Sequence, residues 1–578
     1  MLLACVAIMV AALANYSIRD QQYRVWQSFP EITQMDDMPL FSTADAPYFL
    51  YHAETLRQKT DQAGQPPTMA QHRELPLLSV LLAYMATDSS KAALVRAGHW
   101  LSPVLAFMTA VMIALTFGVV GYWFEGAVAA LGGGLSFAYL SRSSAGRIDT
   151  DQLNLGFFYL MFACAYWVGT VRGRWAMISA AVVMGAVAHL FYWWYPKPEL
   201  IVMPLVGLVI LRLFFHRDVF GAIVAAGLVV LLSDMAMPTT FDSGYIRSFN
   251  SLGGFKFPNF LDMISEVQTA KLGEILPAIT GTNTVGFVCL LGLAMVSIWH
   301  PVVALAYAPL AGFALLNAFI GNRALFYSAP AFWFGGAYLC ILAARYVWHS
   351  VTVSAQVGRP LYPAVMMLFA LLVTAYASSA HRHIPKPSFS VPVVRGFADL
   401  RDVPADAMVA SWWDYGHLSQ FMNRRKVLHG GGGSVNSYFV ARALISEDFA
   451  ESAAMLRFAT RGGANALGGA GGNSAALDHA IHHSSAQPVR PLYLVLTSEM
   501  TRWLSAIGWL ARWDISAGRP RPAKRQMLDQ WRHSTFAKLF FHHWQFPPFE
   551  QHDGHRLFEL VYDDYPYIRI FRLRPPGF

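Results

Sequence analysis

Long apolar blocks dominate the sequence as far as about residue 380, and each is close to the roughly twenty residues that span a bilayer. The blocks are 98–118, 123–140, 153–171, 175–195, 199–215, 219–236, 277–299, 301–320, 324–344 and 361–380. Segment 1–16 is similar, and without the basic region and cleavage site of a signal peptide we interpret it as a retained first helix. Only 13% of the 578 residues are charged, against about 25% in soluble domains. The pattern predicts a multi-pass α-helical membrane protein with about eleven spans.

The arginines of the short loops predict the orientation. They fall on one side of the span count: Arg172, Arg174, Arg212, Arg217, Arg345 and Arg359. The positive-inside rule makes these loops cytoplasmic, and an odd number of spans then puts the tail outside. We therefore expect a transmembrane domain over 1–384, with long external loops at 17–96 and 238–276, and a soluble extracytoplasmic domain over 385–578.

The tail has the pattern of a mixed α/β domain. Residues 407–411 and 491–496 read as strands, 499–510 as a helix, and 557–573 as a hairpin. All four cysteines lie in apolar blocks, so we expect no disulfide framework in the tail. Its histidines lack the cysteine partners and spacing of a zinc site, which favours surface or packing roles.

Four acids next to predicted spans fall on the predicted outer side. Asp45 lies in the first long loop, Asp149 and Asp151 form an Asp-Thr-Asp in the short loop 141–152, and Glu266 lies in the second long loop. Acids at membrane edges are costly and usually functional. Alternation in an extended segment would turn Asp149 and Asp151 to one side, and oxygen ligands suit Mg²⁺ or Mn²⁺. Each acid taken singly is also compatible with a structural role.

Three arginines lie at the same external edges. Arg142 and Arg147 flank the Asp-Thr-Asp, where the positive-inside rule disfavours them, and Arg323 opens the block 324–344. An arginine in such a place is able to bind phosphate through two N–H groups. The alternative is a guanidinium that reaches to the membrane interface without a ligand.

Near the start of the tail, directly after the predicted strand 407–411, stands Trp412-Trp413-Asp414-Tyr415-Gly416. Large aromatics beside a carboxylate make a pocket with an apolar wall and a hydrogen-bond acceptor, which suits a ligand carrying a hydroxyl and a methyl group. A strand end with packed aromatics is the structural alternative.

Together these motifs resemble the catalytic subunits of the oligosaccharyltransferases, the enzymes of protein N-glycosylation, over nearly the whole chain. The bacterial single-subunit type is the most similar. The matching segments are WWDYG at 412–416, SRSSAGRIDTD at 141–151, Asp45, MISE at 263–266, WWYP at 193–196, Arg323 and, in divergent form, MTRW at 500–503.

Four departures from the family pattern matter. Family members have thirteen spans, two more than we count here. Bacterial relatives that require an acidic residue two positions before the acceptor asparagine carry an arginine at the position that is Ala278 here. Ser434 stands where some relatives have a phosphate-contacting histidine. The tail after Gly416 is also shorter than in many relatives.

The resemblance implies a function and roles for the site residues. The function is transfer of an oligosaccharide from a polyprenyl-diphosphate donor to the asparagine of Asn-x-Ser/Thr, without a minus-two acid. Asp45, Asp149, Asp151 and Glu266 would hold Mn²⁺ or Mg²⁺ and, with Arg142, form the catalytic centre. Arg323, Tyr195 and Trp193 would bind the donor. The acceptor would be bound by Trp412, Trp413, Asp414, Met500 and Trp503.

By the same resemblance we expect a bacterial inner-membrane enzyme with a periplasmic C-terminal domain and no nucleic-acid partner. Two other classes fit part of the pattern. A different lipid-phosphosugar enzyme, such as a protein O-mannosyltransferase or a glycan ligase, would share the outer acids without needing the Trp-Trp-Asp pocket. A transporter or receptor would favour charges at mid-membrane.

Overall fold

The computed structural model describes residues 2–63, 74–234, 250–259, 263, 268–351, 382–430, 435–462, 467, 472–485, 490–522, 527–541 and 554–575. The chain divides into two compact units. The membrane unit comprises Met1–Phe29, His52–Ser243 and Glu266–Lys386. The C-terminal unit comprises Pro30–Tyr51, Gly244–Ser265 and Pro387–Phe578, so parts of both long external loops belong to it.

The first part of the described chain, up to residue 351, is almost entirely helical. Its elements are α1 (Leu2–Gln27), α2 (Pro30–Thr33), β1 (Gln34–Met35), β2 (Met38–Pro39), α3 (Ala46–Ala63), α4 (Leu77–Met85), α5 (Lys91–Gly118), α6 (Trp123–Leu135), α7 (Phe137–Ser143), α8 (Asp151–Thr170), α9 (Arg174–Trp194), α10 (Pro198–His216), α11 (Val219–Leu232), β3 (Asn250–Leu252), β4 (Phe255–Phe257), α12 (Leu272–Thr280), α13 (Asn283–Trp299), α14 (Pro301–Ile320) and α15 (Arg323–Val351).

The described part from residue 382 onward mixes helices and strands. Its elements are α16 (Val391–Asp399), β5 (Met408–Ala410), α17 (Gly416–Asn423), β6 (Lys426–Val427), α18 (Val435–Ile445), α19 (Phe449–Thr460), α20 (Ser474–Ser485), β7 (Leu492–Thr497), α21 (Leu504–Ala511), β8 (Trp513–Asp514), β9 (Arg519–Pro520), α22 (Met527–Arg532), α23 (Thr535–Phe540), α24 (Gly554–Leu557), β10 (Phe558–Asp564) and β11 (Ile568–Leu573). Short 3₁₀ helices cover Leu400–Asp402, Trp413–Tyr415 and Ser498–Trp503.

Seven helices of the described chain are long and apolar enough to cross a membrane: α1, α5, α8, α9, α10, α14 and α15. Helices α12 and α13 make an eighth if they count as one span, although they meet at 83°. The bend has a local cause, since α12 ends at Gly281 with a φ of 86°, a conformation that favours glycine. The multi-pass helical architecture predicted from the apolar blocks is confirmed.

The other apolar blocks have different outcomes. Block 123–140 forms two helices, α6 and α7, which meet at Ser136. Block 219–236 contributes the 14-residue helix α11, which is shorter than a typical span. Block 361–380 lies outside the described residues.

A buried arginine joins α1 to the pair of helices α6 and α7. The Arg19 side chain is completely buried in α1, and its Nη2 donates to Ser143 Oγ at 2.6 Å and to the carbonyl of Gly134 at 2.8 Å. Its Nη1 donates to Asn15 Oδ1 at 3.1 Å. An arginine with its donors satisfied in this way holds α6 and α7, and therefore the loop that follows α7, in one place on α1.

The C-terminal unit is built on a five-stranded sheet with the order β10-β11-β7-β5-β6. Strands β10, β11 and β7 pair antiparallel, whereas β5 runs parallel to both β7 and β6. The central strand β7 has the sequence LYLVLT and is buried throughout, as expected for a strand covered on both faces. The predicted mixed α/β tail domain is confirmed, with its predicted strands in β5, β7 and the β10–β11 hairpin.

The second long loop contributes a hairpin to the C-terminal unit. Strands β3 and β4 are joined by Gly253 and Gly254, whose φ angles of 58° and 84° are those of a two-residue hairpin turn. The hairpin packs against the segment of β8 and β9, where Lys256 N donates to the carbonyl of Ile515 and Trp513 Nε1 donates to the carbonyl of Lys256. The C-terminal unit thus holds the start of the loop that leads to Glu266.

Candidate active site

The Asp-Thr-Asp of the membrane unit lies at the N-terminus of α8. Thr150 has a helical φ and ψ, and Asp151 is the first residue of the helix. The segment is therefore a turn, and the expectation of an extended segment is wrong. The two carboxylates still share a neighbour, because Arg147 Nη2 lies 3.6 Å from Asp149 Oδ2 and 3.9 Å from Asp151 Oδ2.

Arg142 is the closest ionic partner of these acids. Its Nη1 donates to Asp151 Oδ2 at 2.9 Å, and both side chains are buried. The guanidinium also lies over the ring of Phe326, 5.6 Å from its centroid. Removal of either partner would leave a buried charge without its counter-ion, so the pair fixes the position of the Asp151 carboxylate.

Asn154 is a further polar residue that sequence reasoning missed. It is fully buried one turn beyond Asp151, and its Nδ2 donates to Asp151 Oδ1 at 3.1 Å. Its own Oδ1 is buried and has no hydrogen-bond partner among the described residues. The i, i+3 spacing on a helix was the signal that would have found it.

The turn itself is held by groups from three other elements. Trp194 Nε1 donates to the carbonyl of Thr150 at 2.8 Å, Gln152 Nε2 donates to Ser102 Oγ at 2.6 Å, and Ala145 N donates to Gln22 Oε1 at 3.0 Å. Of the predicted donor residues, Trp193 donates from Nε1 to the carbonyl of Leu75 at 2.9 Å, and Tyr195 caps the end of α9. Within this WWYP segment, the residue that contacts the backbone of the Asp-Thr-Asp turn is Trp194, which the resemblance did not single out.

Arg323 begins α15, three residues before the Phe326 that supports Arg142. The preceding residue, Asn322, donates from its backbone N to the carbonyl of Gln268 at 3.0 Å. Asn317 exchanges two further hydrogen bonds with the backbone of Ala270. The chain just after position 266 is thus held beside the start of α15, whereas Glu266 itself lies outside the described residues.

The Trp-Trp-Asp motif follows β5 at the edge of the sheet in the C-terminal unit. The rings of Trp412 and Trp413 stack with centroids 4.4 Å apart, and both are buried. Asp414 Oδ2 and Trp412 Nε1 are buried and make no hydrogen bond of normal geometry among the described residues, although the Trp412 indole lies close enough to Asp414 to lower its pKa. A carboxylate oxygen and an indole N–H left without partners in one motif are suited to a ligand that both donates and accepts, as a hydroxyl does.

Asp45 belongs to the same unit and acts on Asp414. Burial raises the pKa of Asp414 to about 7, and the charge of Asp45 adds to the rise, while the indole groups of Trp413 and Trp412 lower it. Asp45 itself is exposed. The structure therefore brings together the first-loop acid and the tail motif, which the sequence separates by most of the chain.

Hydrogen bonds of two neighbouring side chains, Tyr415 and His429, support the motif. Tyr415 is buried, and its hydroxyl is 2.7 Å from Thr497 Oγ1. His429 Nε2 lies 2.7 Å from the carbonyl of Ser411, and burial lowers the pKa of this histidine to about 4. At Gly416 there is no space for a side chain, because a Cβ there would collide with the His429 carbonyl.

The two MTRW residues that we predicted to bind the acceptor differ in access. Met500 is completely buried, and its Sδ accepts from Thr497 N at 3.4 Å, so it is adjacent to the residue that bonds Tyr415. Trp503 ends the same 3₁₀ helix and is partly exposed.

The described residues contain no group of three or more His, Cys, Asp or Glu placed to hold a metal ion. Two of the four predicted ligands, Asp149 and Asp151, lie together in the membrane unit. Asp45 belongs to the C-terminal unit, and Glu266 is outside the described residues. The predicted four-acid ligand set therefore stays a prediction.

Comparison with known proteins agrees with this architecture. Residues 405–466, which include the Trp-Trp-Asp motif, match the family model of the STT3/PglB/AglB core domain. No curated protein matches the chain in sequence.

Three solved structures from Archaeoglobus fulgidus are similar in fold. The oligosaccharyltransferase AglB in complex with an inhibitory peptide and a dolichol-phosphate is 12% identical, with a TM-score of 0.61 over 93% of this chain and 78% of that one. An oligosaccharyltransferase tethered to a peptide with the NVT sequon is 12% identical, with a TM-score of 0.60 over 97% and 80% of the two chains. A complex of that enzyme with Zn and sulfate is 14% identical, with a TM-score of 0.51 over 92% and 76%.

The fold is thus that of solved membrane oligosaccharyltransferases, a multi-pass helical unit joined to a C-terminal α/β domain. The match of residues 405–466 to the family's core-domain model and the shared fold support the predicted resemblance to the oligosaccharyltransferase catalytic subunits.

Proposed function

We propose that this enzyme transfers an oligosaccharide from a lipid-linked diphosphate donor to the asparagine of Asn-x-Ser/Thr sequons, with the help of a divalent cation. The soluble domain, 385–578, lies on the outer face of a bacterial inner membrane, and residues 1–384 form the transmembrane domain. The observation that carries the proposal is the pair of unpartnered buried atoms in the Trp-Trp-Asp motif, Asp414 Oδ2 and Trp412 Nε1.

These two atoms match the hydroxyl of the acceptor. A Ser or Thr hydroxyl donates its hydrogen to the Asp414 carboxylate and accepts from the indole N–H of Trp412. Loss of either bond leaves a buried polar atom unsatisfied, at a cost of about 1–3 kcal/mol. The stacked tryptophans supply an apolar wall for the Thr methyl group, worth only about 1–3 kcal/mol. The enzyme therefore prefers Thr and still accepts Ser.

Asp45 acts on the acceptor asparagine. The side-chain nitrogen is a poor nucleophile because its lone pair is delocalised into the carbonyl, the resonance that gives a peptide bond its barrier of about 18–20 kcal/mol. A hydrogen bond from the amide N–H to the Asp45 carboxylate orients the nitrogen and stabilises the positive charge that develops during attack. Attack opposite the leaving diphosphate inverts the anomeric centre in one displacement.

Arg323 and Arg142 serve the donor side of the site. Arg323 stabilises the negative charge of the leaving diphosphate, and Tyr195 and Trp193 contact the donor lipid. Arg142 fixes the Asp151 carboxylate through the 2.9 Å ion pair. The resemblance also gives Glu266 a catalytic role, which stays a prediction because this residue lies outside the described part of the chain.

The residues of the membrane unit fit a hard divalent cation. Asp149 and Asp151 supply carboxylate oxygens, and the unpartnered Oδ1 of Asn154 adds a neutral oxygen beside Asp151. Oxygen donors without sulfur or imidazole favour Mg²⁺ or Mn²⁺. By the family resemblance Asp45 and Glu266 would complete the ligand set, and a bound cation would polarise the site and offset the charge of the diphosphate.

No acid is required at the minus-two position of the acceptor. By the resemblance, the position that carries the selecting arginine in some relatives is Ala278, which packs partly buried against an apolar cluster from α12, α13, α14 and α15. An alanine offers no charge to an acidic side chain, so its presence supports a relaxed sequon.

A single transfer assay tests the proposal. Purified enzyme is incubated with Mn²⁺, a polyprenyl-diphosphate oligosaccharide and paired peptides that carry Asn-x-Thr or Gln-x-Thr. A mass increase of one glycan on the asparagine peptide alone is expected. Transfer to the threonine of the glutamine peptide would instead support an O-glycosyltransferase.

A further inference from the structure

The first-loop segment that carries Asp45 folds against the C-terminal unit. It forms a tight turn in which Asp45 N donates to Thr43 Oγ1 at 3.3 Å and Tyr48 N donates to the carbonyl of Asp45 at 3.0 Å. Upstream of the turn, the carbonyl of Phe41 accepts from Ser388 N at 2.9 Å. The turn therefore places Tyr48 at a fixed position relative to Asp45.

A ring contact joins this turn to the Trp-Trp-Asp motif. The rings of Tyr48 and His417 lie with centroids 5.1 Å apart, tilted by 57°. His417 is in the first turn of α17, and its Nδ1 lies 3.2 Å from Gln420 Oε1, which orients the ring. Both side chains are half-buried.

Each ring of this contact lies three residues after one of the two acids. Tyr48 follows Asp45 by three residues and one backbone hydrogen bond, and His417 follows Asp414 by three residues at the end of a 3₁₀ helix. Each segment has local contacts that constrain it, since the Asp45 turn is hydrogen-bonded and the backbone at Gly416 lies against the His429 carbonyl. The ring contact therefore joins the two segments that carry these carboxylates.

We propose that the Tyr48–His417 contact is a positioning element that sets the distance between Asp45 and Asp414, and so matches the enzyme to the two-residue spacing of the sequon. The inference rests on the proposed function, in which Asp414 takes the hydroxyl and Asp45 the amide. Two residues of extended chain span about 7 Å. An acceptor whose hydroxyl is bound by Asp414 presents its asparagine to Asp45 only if that separation is kept.

The test separates positioning from binding. His417→Ala and Tyr48→Ala are compared with His417→Phe, which keeps an aromatic ring. We expect each alanine variant to lower kcat by about tenfold while the Kd for an Asn-x-Thr peptide stays within about twofold, because the hydroxyl pocket is intact. His417→Phe should recover kcat to within about threefold of wild type. His479→Ala, which alters an exposed histidine of α20, serves as the matched control and should leave both values unchanged.

Two further measurements make the result decisive. The double variant Tyr48→Ala/His417→Ala should be no slower than either single variant, since both remove one contact. The ratio of rates for Asn-x-Thr and Asn-x-x-Thr peptides should fall in the alanine variants, because the spacing is no longer enforced. The proposal is overturned if the peptide Kd rises in proportion to the loss of kcat, if the double variant loses activity additively, or if the spacing ratio is unchanged. Failure of the wild-type enzyme to modify any asparagine peptide would instead refute the proposed function, and the Kd comparison would still be readable.

Discussion

Burial and the charge of Asp45 together raise the pKa of Asp414, although one residue belongs to the first long loop and the other to the C-terminal domain. Both lie in the C-terminal unit, so the acid that we propose to bind the acceptor amide and the acid that we propose to bind its hydroxyl belong to one unit. Two carboxylates this close repel each other when both are ionised. An acceptor that donates one hydrogen bond to each carboxylate would reduce that repulsion.

Replacement of Asp414 by Asn should weaken acceptor binding more than it slows chemistry. The carboxylate accepts a charge-assisted hydrogen bond, and an amide oxygen accepts a weaker one. We expect the KM for an Asn-x-Thr peptide to rise by about tenfold or more, with a smaller change in kcat. An unchanged KM in steady-state transfer assays would contradict the assignment of Asp414 to the sequon hydroxyl.

Acceptor affinity should depend on pH near neutrality. The pKa of Asp414 is raised to about 7, so the carboxylate form that accepts from the hydroxyl increases from pH 6 to pH 8. Peptide affinity should rise by up to about tenfold over that interval. The same shift makes the folded protein hold a proton that the unfolded chain releases near pH 4, so this group lowers stability as pH rises from about 4 to 7. In Asp414→Asn both dependences should flatten, and titration by fluorescence and thermal unfolding checks them.

Removal of the Trp194 hydrogen bond should damage the Asp-Thr-Asp turn. Trp194→Phe keeps an apolar ring and removes the N–H that donates to the Thr150 carbonyl, a bond worth about 1 kcal/mol. We expect kcat to fall severalfold and the apparent affinity for Mn²⁺ to weaken with it. Trp193→Phe is the matched control, since its N–H donates to Leu75 instead, and it should leave the metal dependence unchanged. Equal metal dependence in the two variants would argue against the turn as the metal-binding element.

A side chain at position 416 should displace the motif. In Gly416→Ala the new Cβ collides with the carbonyl of His429, so the backbone must shift. We expect that shift to move the neighbouring segment 412–414. Overpacking of this kind costs about 1–3 kcal/mol. We expect a lower midpoint of thermal unfolding and weaker peptide binding, whereas Gly207→Ala, in open space on α10, should change neither.

Much of the fold follows from patterns in the sequence. The apolar blocks predicted most membrane helices because a twenty-residue apolar run has few other stable environments. The sequence could not show that α12 and α13 bend by 83°, since the bend depends on a single glycine in a positive-φ conformation. Block 123–140 also gave no sign of its division at Ser136.

The site was predictable as a set of residues and not as an arrangement. The motifs named Asp149, Asp151 and Asp414, but the extended form expected for 149–151 was wrong because Asp151 begins a helix. Asn154 and Trp194 were missed because they act through one hydrogen bond each. The contact between Tyr48 and His417 depends on how the first loop folds against the tail domain. Such a long-range contact cannot be predicted from the local sequence.

The most direct test of the central claim is the mass of acceptor peptides after incubation with the purified enzyme, Mn²⁺ and a lipid-linked oligosaccharide. Four peptides are compared: Asn-x-Thr, Gln-x-Thr, Asn-x-Ala, and Asn-x-Thr with an Asp at minus two. We predict a glycan mass on the first and last at similar rates, and none on the other two. Modification of Asn-x-Ala at the rate of Asn-x-Thr, or of Gln-x-Thr at all, would contradict asparagine transfer guided by Asp414.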